Sequence, residues 1–213
     1  MKTLIFDFDG TLADTQQGIC QCVNATLART GHHVVDEAAI TPLIGLPLEQ
    51  MFVIFTGDDD PRTAEHLSAV YRELYDDIAP LTLRLFPGVA ETLVRLREHG
   101  LLLCVASSKG HDALDPQLRQ TGIADLFSTV VTGNDVAHSK PAPDMAMLAL
   151  RNIGRTVEGA MVIGDTEYDI AMGRSAGCLT CGVSYGNHSA ERLHTAGADY
   201  LVSSFHELAD ICI

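Results

Sequence analysis

Residues 5 to 15 read IFDFDGTLADT, so two carboxylates, Asp7 and Asp9, stand one residue apart at the end of an apolar run and just before a glycine. Like charges buried together are costly unless a cation stands between them. The rest of the chain offers partners for such a site. Ser107, Ser108 and Lys109 follow the apolar run LLLCVA, Lys140 lies in NDVAHSKPAPD, and Asp165, with Asp169 four residues on, follows AMVIG. Three carboxylates, a hydroxyl and a lysine suit phosphoryl transfer with Mg2+, a hard cation that takes carboxylate and carbonyl oxygens. The ion also offsets the repulsion among Asp7, Asp9 and Asp165.

The elements that must position these residues are legible as apolar runs. TLIFDF (3–8), LLLCVA (101–106), STVVTG (128–133), AMVIGD (160–165), LTCGVS (179–184) and DYLV (199–202) read as strands. Amphipathic stretches separate them, such as GVAETLVRLREHG, in which Val89, Leu93, Leu96 and the neighbouring Val94 form an apolar face ended by Gly100. Strand–helix alternation predicts an α/β fold, a doubly wound, Rossmann-like parallel sheet with right-handed crossovers. Ligands of such sheets bind beyond the carboxyl ends of the strands, where each of the residues above stands.

Residues 14–82 read differently. Asp14 or Thr15 can cap a helix running to Thr30 with Gly31 as its stop, and Asp36 can cap a second, short one. Residues 47–55 and 61–77 suggest a third and a fourth, with no convincing strand among them. The expected organisation is a core of residues 1–13 and 83–213 with a small all-helical domain, 14–82, inserted after the first strand. Leu12–Thr15 and Pro80–Phe86 are the expected linkers.

The totals exclude several classes. With 213 residues, 46% of them hydrophobic, the chain can build a substantial core. A net charge of −14 repels phosphate backbones and anionic membranes, which argues against nucleic-acid or lipid partners. No apolar stretch reaches the roughly 20 residues of a membrane span, and Met1 to Phe8 is too short for a signal peptide, so a cytoplasmic location is expected. The six cysteines show no secreted disulfide framework, and Cys178–Cys181, a lone CxxC beside a strand, reads as structural. The nine histidines lack HExxH spacing, which argues against zinc. No feature marks a subunit interface, so monomer and homodimer both stand.

DFDGT, the serine after the second core strand, the lysine before PAPD and GDTEYD resemble, in order, the four motifs of the haloacid dehalogenase-like superfamily. FPGVAETLVRLREHG and GDTEYDIAMGRSAG are similar to stretches of its phosphoglycolate phosphatase-like members, and the helical insertion resembles their small cap domain. The resemblance covers nearly the whole chain and implies roles residue by residue. Asp7 would be the nucleophile that forms an aspartyl-phosphate, and Asp9 would protonate the leaving oxygen and then activate water. Ser107 would donate to the phosphoryl group, while Lys140 would pair with it and with Asp7. Asp165 would bind Mg2+ together with the Asp7 side chain and the Asp9 backbone carbonyl, with Asp169 behind them orienting water or Lys140. Backbone amides around Gly10, Thr11 and Ser108 would complete a phosphate cradle. TPLIGLPLEQMF resembles the family's cap specificity loop, with Gly45 allowing close approach to the site.

The expected activity is Mg2+-dependent hydrolysis of a small phosphomonoester, like phosphoglycolate, a sugar phosphate or a nucleotide. The alternatives are a β-phosphoglucomutase-like phosphomutase and a pyrophosphatase. Mutases of the family usually carry Val where this chain has Thr11, and dehalogenases lack the carboxylate that Asp9 supplies. Phospho-receivers carry an adjacent acidic pair on the first strand and no helical insertion. The cap itself is acidic. Residues 14–82 hold eleven Asp and Glu against Arg29, Arg62 and Arg72 and no Lys, a formal balance of −8. Such a cap suits a second phosphate poorly unless one of the arginines faces inward.

Overall fold

In the computed structural model, which describes residues 2–213, strand β1 (Thr3–Phe6) lies inside a six-stranded sheet and is buried along its whole length. A strand covered on both faces loses the polar–apolar alternation and reads as the continuous run TLIF. The ribbon β2 (Ala13–Asp14) and β3 (Arg84–Leu85) is a separate two-stranded sheet. The main sheet continues with β4 (Leu102–Ser107), β5 (Thr129–Thr132), β6 (Ala160–Gly164), β7 (Leu179–Val183) and β8 (Tyr200–Val202) in the order β5-β4-β1-β6-β7-β8. All its pairs are parallel, with Ile5 opposite Cys104 on one side and Val162 on the other.

Helices cover both faces. On one, α5 (Val89–Glu98), α6 (His111–Gln120) and α10 (Glu207–Cys212) bury Leu93, Leu118 and Leu208 with Phe6 and Phe205. On the other, α7 (Asp144–Asn152) and α8 (Glu167–Ala176) bury Met145, Ala149 and Met172 with Ile5 and Val162. The short α9 (Ala190–Thr195) packs by β7. On α5 the apolar face is narrower than the sequence suggests: Leu93 and Leu96 are fully buried, but Val94 lies 42% exposed. Consecutive helical residues sit about 100° apart, so Val94 turns off the face that Leu93 occupies.

Between β2 and β3 run α1 (Gln16–Arg29), α2 (Glu37–Ile40), α3 (Leu48–Thr56) and α4 (Pro61–Thr82). Their shared core holds Val23 and Leu27 of α1, Phe52 of α3, and Leu67, Tyr71 and Tyr75 of α4. Helix α4 runs five residues past the end expected at residue 77 and through Pro80, because Tyr75 and Ala79 stay buried in that core. Asp14 caps no helix. It pairs with Arg84 in the ribbon, and Thr15, the residue before α1, donates its hydroxyl to Asp9 and accepts from no α1 amide. The expected linkers are therefore partly a paired ribbon, with Phe86 N–H also donating to the Leu12 carbonyl.

All six cysteines are buried and unbridged. Burial pushes the thiols of Cys104 and Cys181 up to about 12, which leaves them in the unreactive thiol form. Among the described residues no helix is long and apolar enough to cross a membrane.

Candidate active site

The carboxyl ends of β1, β4 and β6 gather the charged residues around one lysine. Asp7 follows β1, its amide donating to the Ile163 carbonyl of β6 at 2.9 Å. Lys140, only 2% exposed, places Nζ 2.5 Å from Asp7 Oδ1 and 2.6 Å from Asp169 Oδ1. Asp169 is the third residue of α8 and takes part in a reciprocal capping box. Its Oδ2 accepts from the Thr166 amide and hydroxyl, and its own amide points back at Thr166 Oγ1. One oxygen thus secures the helix start and the other faces the lysine. Asp165, fully buried, accepts from Thr11 Oγ1 at 3.0 Å and from the Asn187 amide and side chain at 2.7 and 2.8 Å.

Asp7, Asp165 and Asp169 each offer an oxygen within 4.8 Å of the others. Against these three carboxylates stands the one ammonium of Lys140. Burial raises the Asp7 pKa well above the usual carboxylate range; Lys140 opposes that, and Asp169, Asp165 and Asp9 add to it. Burial, then the charge of Asp169, pushes Asp165 up to about 7 against the hydrogen bonds from Asn187 and Thr11. For Lys140 burial works against the charge, but Asp169 and Asp7 outweigh it and raise its pKa. The cluster therefore carries surplus negative charge on an all-oxygen donor set, which fits a hard divalent cation.

Asp9 stands apart from that cluster. Its Oδ1 accepts from Thr15 Oγ1 and from Lys109 Nζ, each at 2.7 Å, and its Oδ2 has no protein donor among the described residues. The Lys109 ammonium also donates to Tyr75 Oη at 2.6 Å and Gln117 Oε1 at 2.8 Å, and lies over the rings of Phe8 and Tyr75. Burial disfavours its charge, yet Asp9 and Tyr75 raise its pKa above the ordinary lysine value.

The expected phosphate cradle differs from the sequence reading. The Gly10 amide donates to the Ala13 carbonyl and the Thr11 amide to that of Phe8, so both are consumed by the turn that carries Asp9. Gly10 serves proximity instead. At φ +83° it lies so close to Asp165 that a Cβ would come 2.1 Å from Oδ2, a contact no side chain tolerates. The amides of Phe8, Asp9 and Ser108 have no protein acceptor among the described residues and are the available donors at this edge. Ser107, 1% exposed, ends β4 facing the cavity, its Oγ accepting from the Lys109 amide. The Ser108 hydroxyl is spent on the Gly45 carbonyl at 2.8 Å.

Gly45 belongs to the loop before α3, which touches the core at further points. A Cβ on Gly45 would meet Thr166 at 3.2 Å, and His188 donates from Nε2 to the Pro42 carbonyl at 3.1 Å. His188 Nδ1 accepts from the Glu167 amide, which fixes the neutral tautomer, and burial keeps its pKa below the usual histidine value. The three arginines between residues 14 and 82 carry exposed ion pairs: Arg29 with Glu73, Arg62 with Asp60 and Arg72 with Glu49. Of these only Arg72 lines the cavity, of about 640 Å³, between the sheet edge and α3 and α4.

Sequence reasoning gave no role to Asn187, Tyr75, Gln117 or His188. Asn187 was detectable in principle as a side-chain amide in the loop after the next strand, at the same sheet edge. Tyr75 looked like one more apolar position of α4.

The haloacid dehalogenase-like hydrolase family model matches residues 4–183. The chain is 36% identical over 214 residues to "Probable phosphatase IndB" of Dickeya dadantii, covering 98% of this chain and 92% of that protein. It is 30% identical to a phosphoglycolate phosphatase of Yersinia pseudotuberculosis, covering 98% and 91%. A haloacid dehalogenase-like hydrolase from Bacteroides fragilis superposes with a TM-score of 0.93 at 30% identity, covering 97% and 99% of the two chains.

Proposed function

The chain belongs to the haloacid dehalogenase-like hydrolase family, and from that premise we propose that it is a Mg2+-dependent phosphatase of a small phosphomonoester, acting through phosphorylated Asp7. The observation that carries this reading is the Asp7 carboxylate. Lys140 holds its Oδ1, Oδ2 receives no protein donor among the described residues, and Asp7 lines the cavity.

In this reading Asp7 Oδ2 attacks phosphorus and the bond from phosphorus to the alcohol oxygen breaks. Asp9 supplies the proton that the leaving alkoxide takes, from the Oδ2 that no protein group occupies. Asp9 then takes a proton from water, whose oxygen attacks phosphorus, and the bond to Asp7 breaks to release phosphate. Lys140 stays paired with Asp7 throughout and damps the charge that builds on the phosphoryl oxygens, with Ser107 Oγ and the amides of Asp9 and Ser108 as further donors. Asp169 holds Lys140 in position, and Thr11 and Asn187 hold Asp165. A divalent cation held by Asp7 and Asp165 supplies neutralisation of the carboxylate cluster and of the phosphoryl oxygens. Residues 14–82 act as a cap that excludes water and faces the alcohol.

The test is phosphate release from a panel of phosphomonoesters with Mg2+ and with EDTA, for the wild-type chain and for Asp7→Asn. Turnover that needs the metal and falls by at least about 10³-fold in the variant is the expected result. Undiminished turnover by Asp7→Asn would remove the nucleophile assignment.

A further inference from the structure

Two cations line the cavity, Lys109 and Arg72, and each faces a carboxylate partner. Lys109 has three N–H bonds, and Asp9 Oδ1, Tyr75 Oη and Gln117 Oε1 accept all three at 2.7, 2.6 and 2.8 Å. Its side chain is 9% exposed. The Arg72 guanidinium, the other cation on the wall, is 2.8 Å from Glu49 Oε1, which lines the same cavity. Arg29 and Arg62 are paired elsewhere and do not line it. Lys140 is enclosed between Asp7 and Asp169.

Carboxylates are in excess on the same wall. Asp76 and Asp112 line the cavity with no ion-pair partner among the described residues. Much of the remaining surface is apolar, with Ile19, Ile44, Leu46, Leu48 and Met51 facing the space beyond Asp9. A second anionic group placed there would meet repulsion from Asp76, Asp112 and Glu49, and the charge of Arg72 is already offset by Glu49 on the same wall.

Resting on the phosphatase reading, we infer that the substrate is the monoester of an alcohol that carries no second negative charge and lays an apolar face against Ile44, Leu46 and Met51. Carboxylated esters, bisphosphates and pyrophosphate are selected against by the same wall. The polar rim accommodates hydroxyl or amino groups through Glu49, Asp76 and Asp112. Of the carboxylates in residues 14–82, Glu49, Glu73 and Asp76 line this cavity. The hydrogen-bond saturation of Lys109 and the excess of carboxylates over Arg72 on this wall carry the point.

The experiment compares kcat/KM of the full chain with Mg2+ on butyl phosphate, 2-hydroxyethyl phosphate, 2-aminoethyl phosphate, phosphoglycolate, glucose 1,6-bisphosphate and pyrophosphate. The three esters without a second anion should exceed the other three by about tenfold or more. Preference for phosphoglycolate, the bisphosphate or pyrophosphate overturns the inference and leaves the phosphatase reading standing. Turnover of none of the six overturns both. Glu49→Gln supplies an independent check, since it frees Arg72 to meet an anion. The ratio of phosphoglycolate to 2-hydroxyethyl phosphate use should rise about fivefold or more. An unchanged ratio would show that the Arg72–Glu49 pair does not set the charge preference.

Discussion

Two sets of ion pairs in this molecule look alike in a distance table and differ in almost everything else. At the sheet edge, Lys140 bridges Asp7 and Asp169 with side chains 1–4% exposed. On the helices between residues 14 and 82, Arg29–Glu73, Arg62–Asp60 and Arg72–Glu49 have comparable separations, but their side chains are 37–89% exposed. Water already solvates the second set, so each pair gains little by forming. The first set has given up that solvation, and the partners hold one another's charge in place. Distance alone does not rank these contacts; burial does. The sheet edge is where charge is held out of water, and the helical surface is where charge stays solvated.

The largest expected effect breaks the buried set. Lys140→Met leaves Asp7 and Asp169 without their cation and should lower unfolding free energy by roughly 3–5 kcal/mol, read by urea denaturation. The double variant Asp7→Asn with Lys140→Met should recover part of that loss. A Lys140→Met chain as stable as wild type would remove the contrast.

Adding Mg2+ should act on the same surplus charge. At about 100 times its dissociation constant the ion should stabilise the wild-type chain by roughly 2.7 kcal/mol in thermal melts, and Asp165→Asn should abolish most of the shift. Equal shifts in both chains would move the ion away from Asp165.

His111 lies between the two extremes. It reaches Asp115 and Asp135 from the start of α6 with a side chain 39% exposed. Burial works against its proton, but the Asp115 hydrogen bond and the Asp135 charge raise its pKa above the usual histidine value. A raised folded-state pKa means that the protonated form stabilises the fold. That contribution is complete below the ordinary value near 6.5 and disappears as pH rises through the folded one. The Tm difference between wild type and His111→Asn should therefore be larger at pH 5.5 than at pH 8.5. The opposite trend would contradict the assignment of these partners. Arg62→Ala should leave the melting temperature unchanged, since its pair with Asp60 is in open solvent.

The sequence made the architecture readable because the central strands β1, β4 and β6 are buried on both faces and so appear as uninterrupted apolar runs. The motif residues were readable because each follows such a run at the same edge of the sheet. What stayed hidden depends on where a side chain turns once its neighbours are in place. Thr15 looked like a cap for α1, but its hydroxyl is turned to donate to the Asp9 carboxylate, and its oxygen accepts from no α1 amide. The amides of Gly10 and Thr11 looked free for phosphate, yet the turn uses them itself. Lys109 was visible as a charge, but its three acceptors come from positions 9, 75 and 117, a convergence no local pattern encodes. Val94 was misassigned for a simpler reason: its place beside Leu93 on the sequence is not a place beside it on the helix.

The ribbon of β2 and β3 gives the chain an unusual freedom of exchange. The polypeptide leaves the ribbon at Asp14 and returns to it at Arg84, directly opposite. Meanwhile β1 takes its ladder partners from β4 and β6, not from anything spliced between those two points. The entry and exit work like a socket, into which a different bundle of helices can be fitted without shifting the register of a single core strand. The exchange has one condition at the site itself: Thr15, Gly45 and Tyr75 bond Asp9, Ser108 and Lys109, so an incoming bundle has to supply those three contacts again.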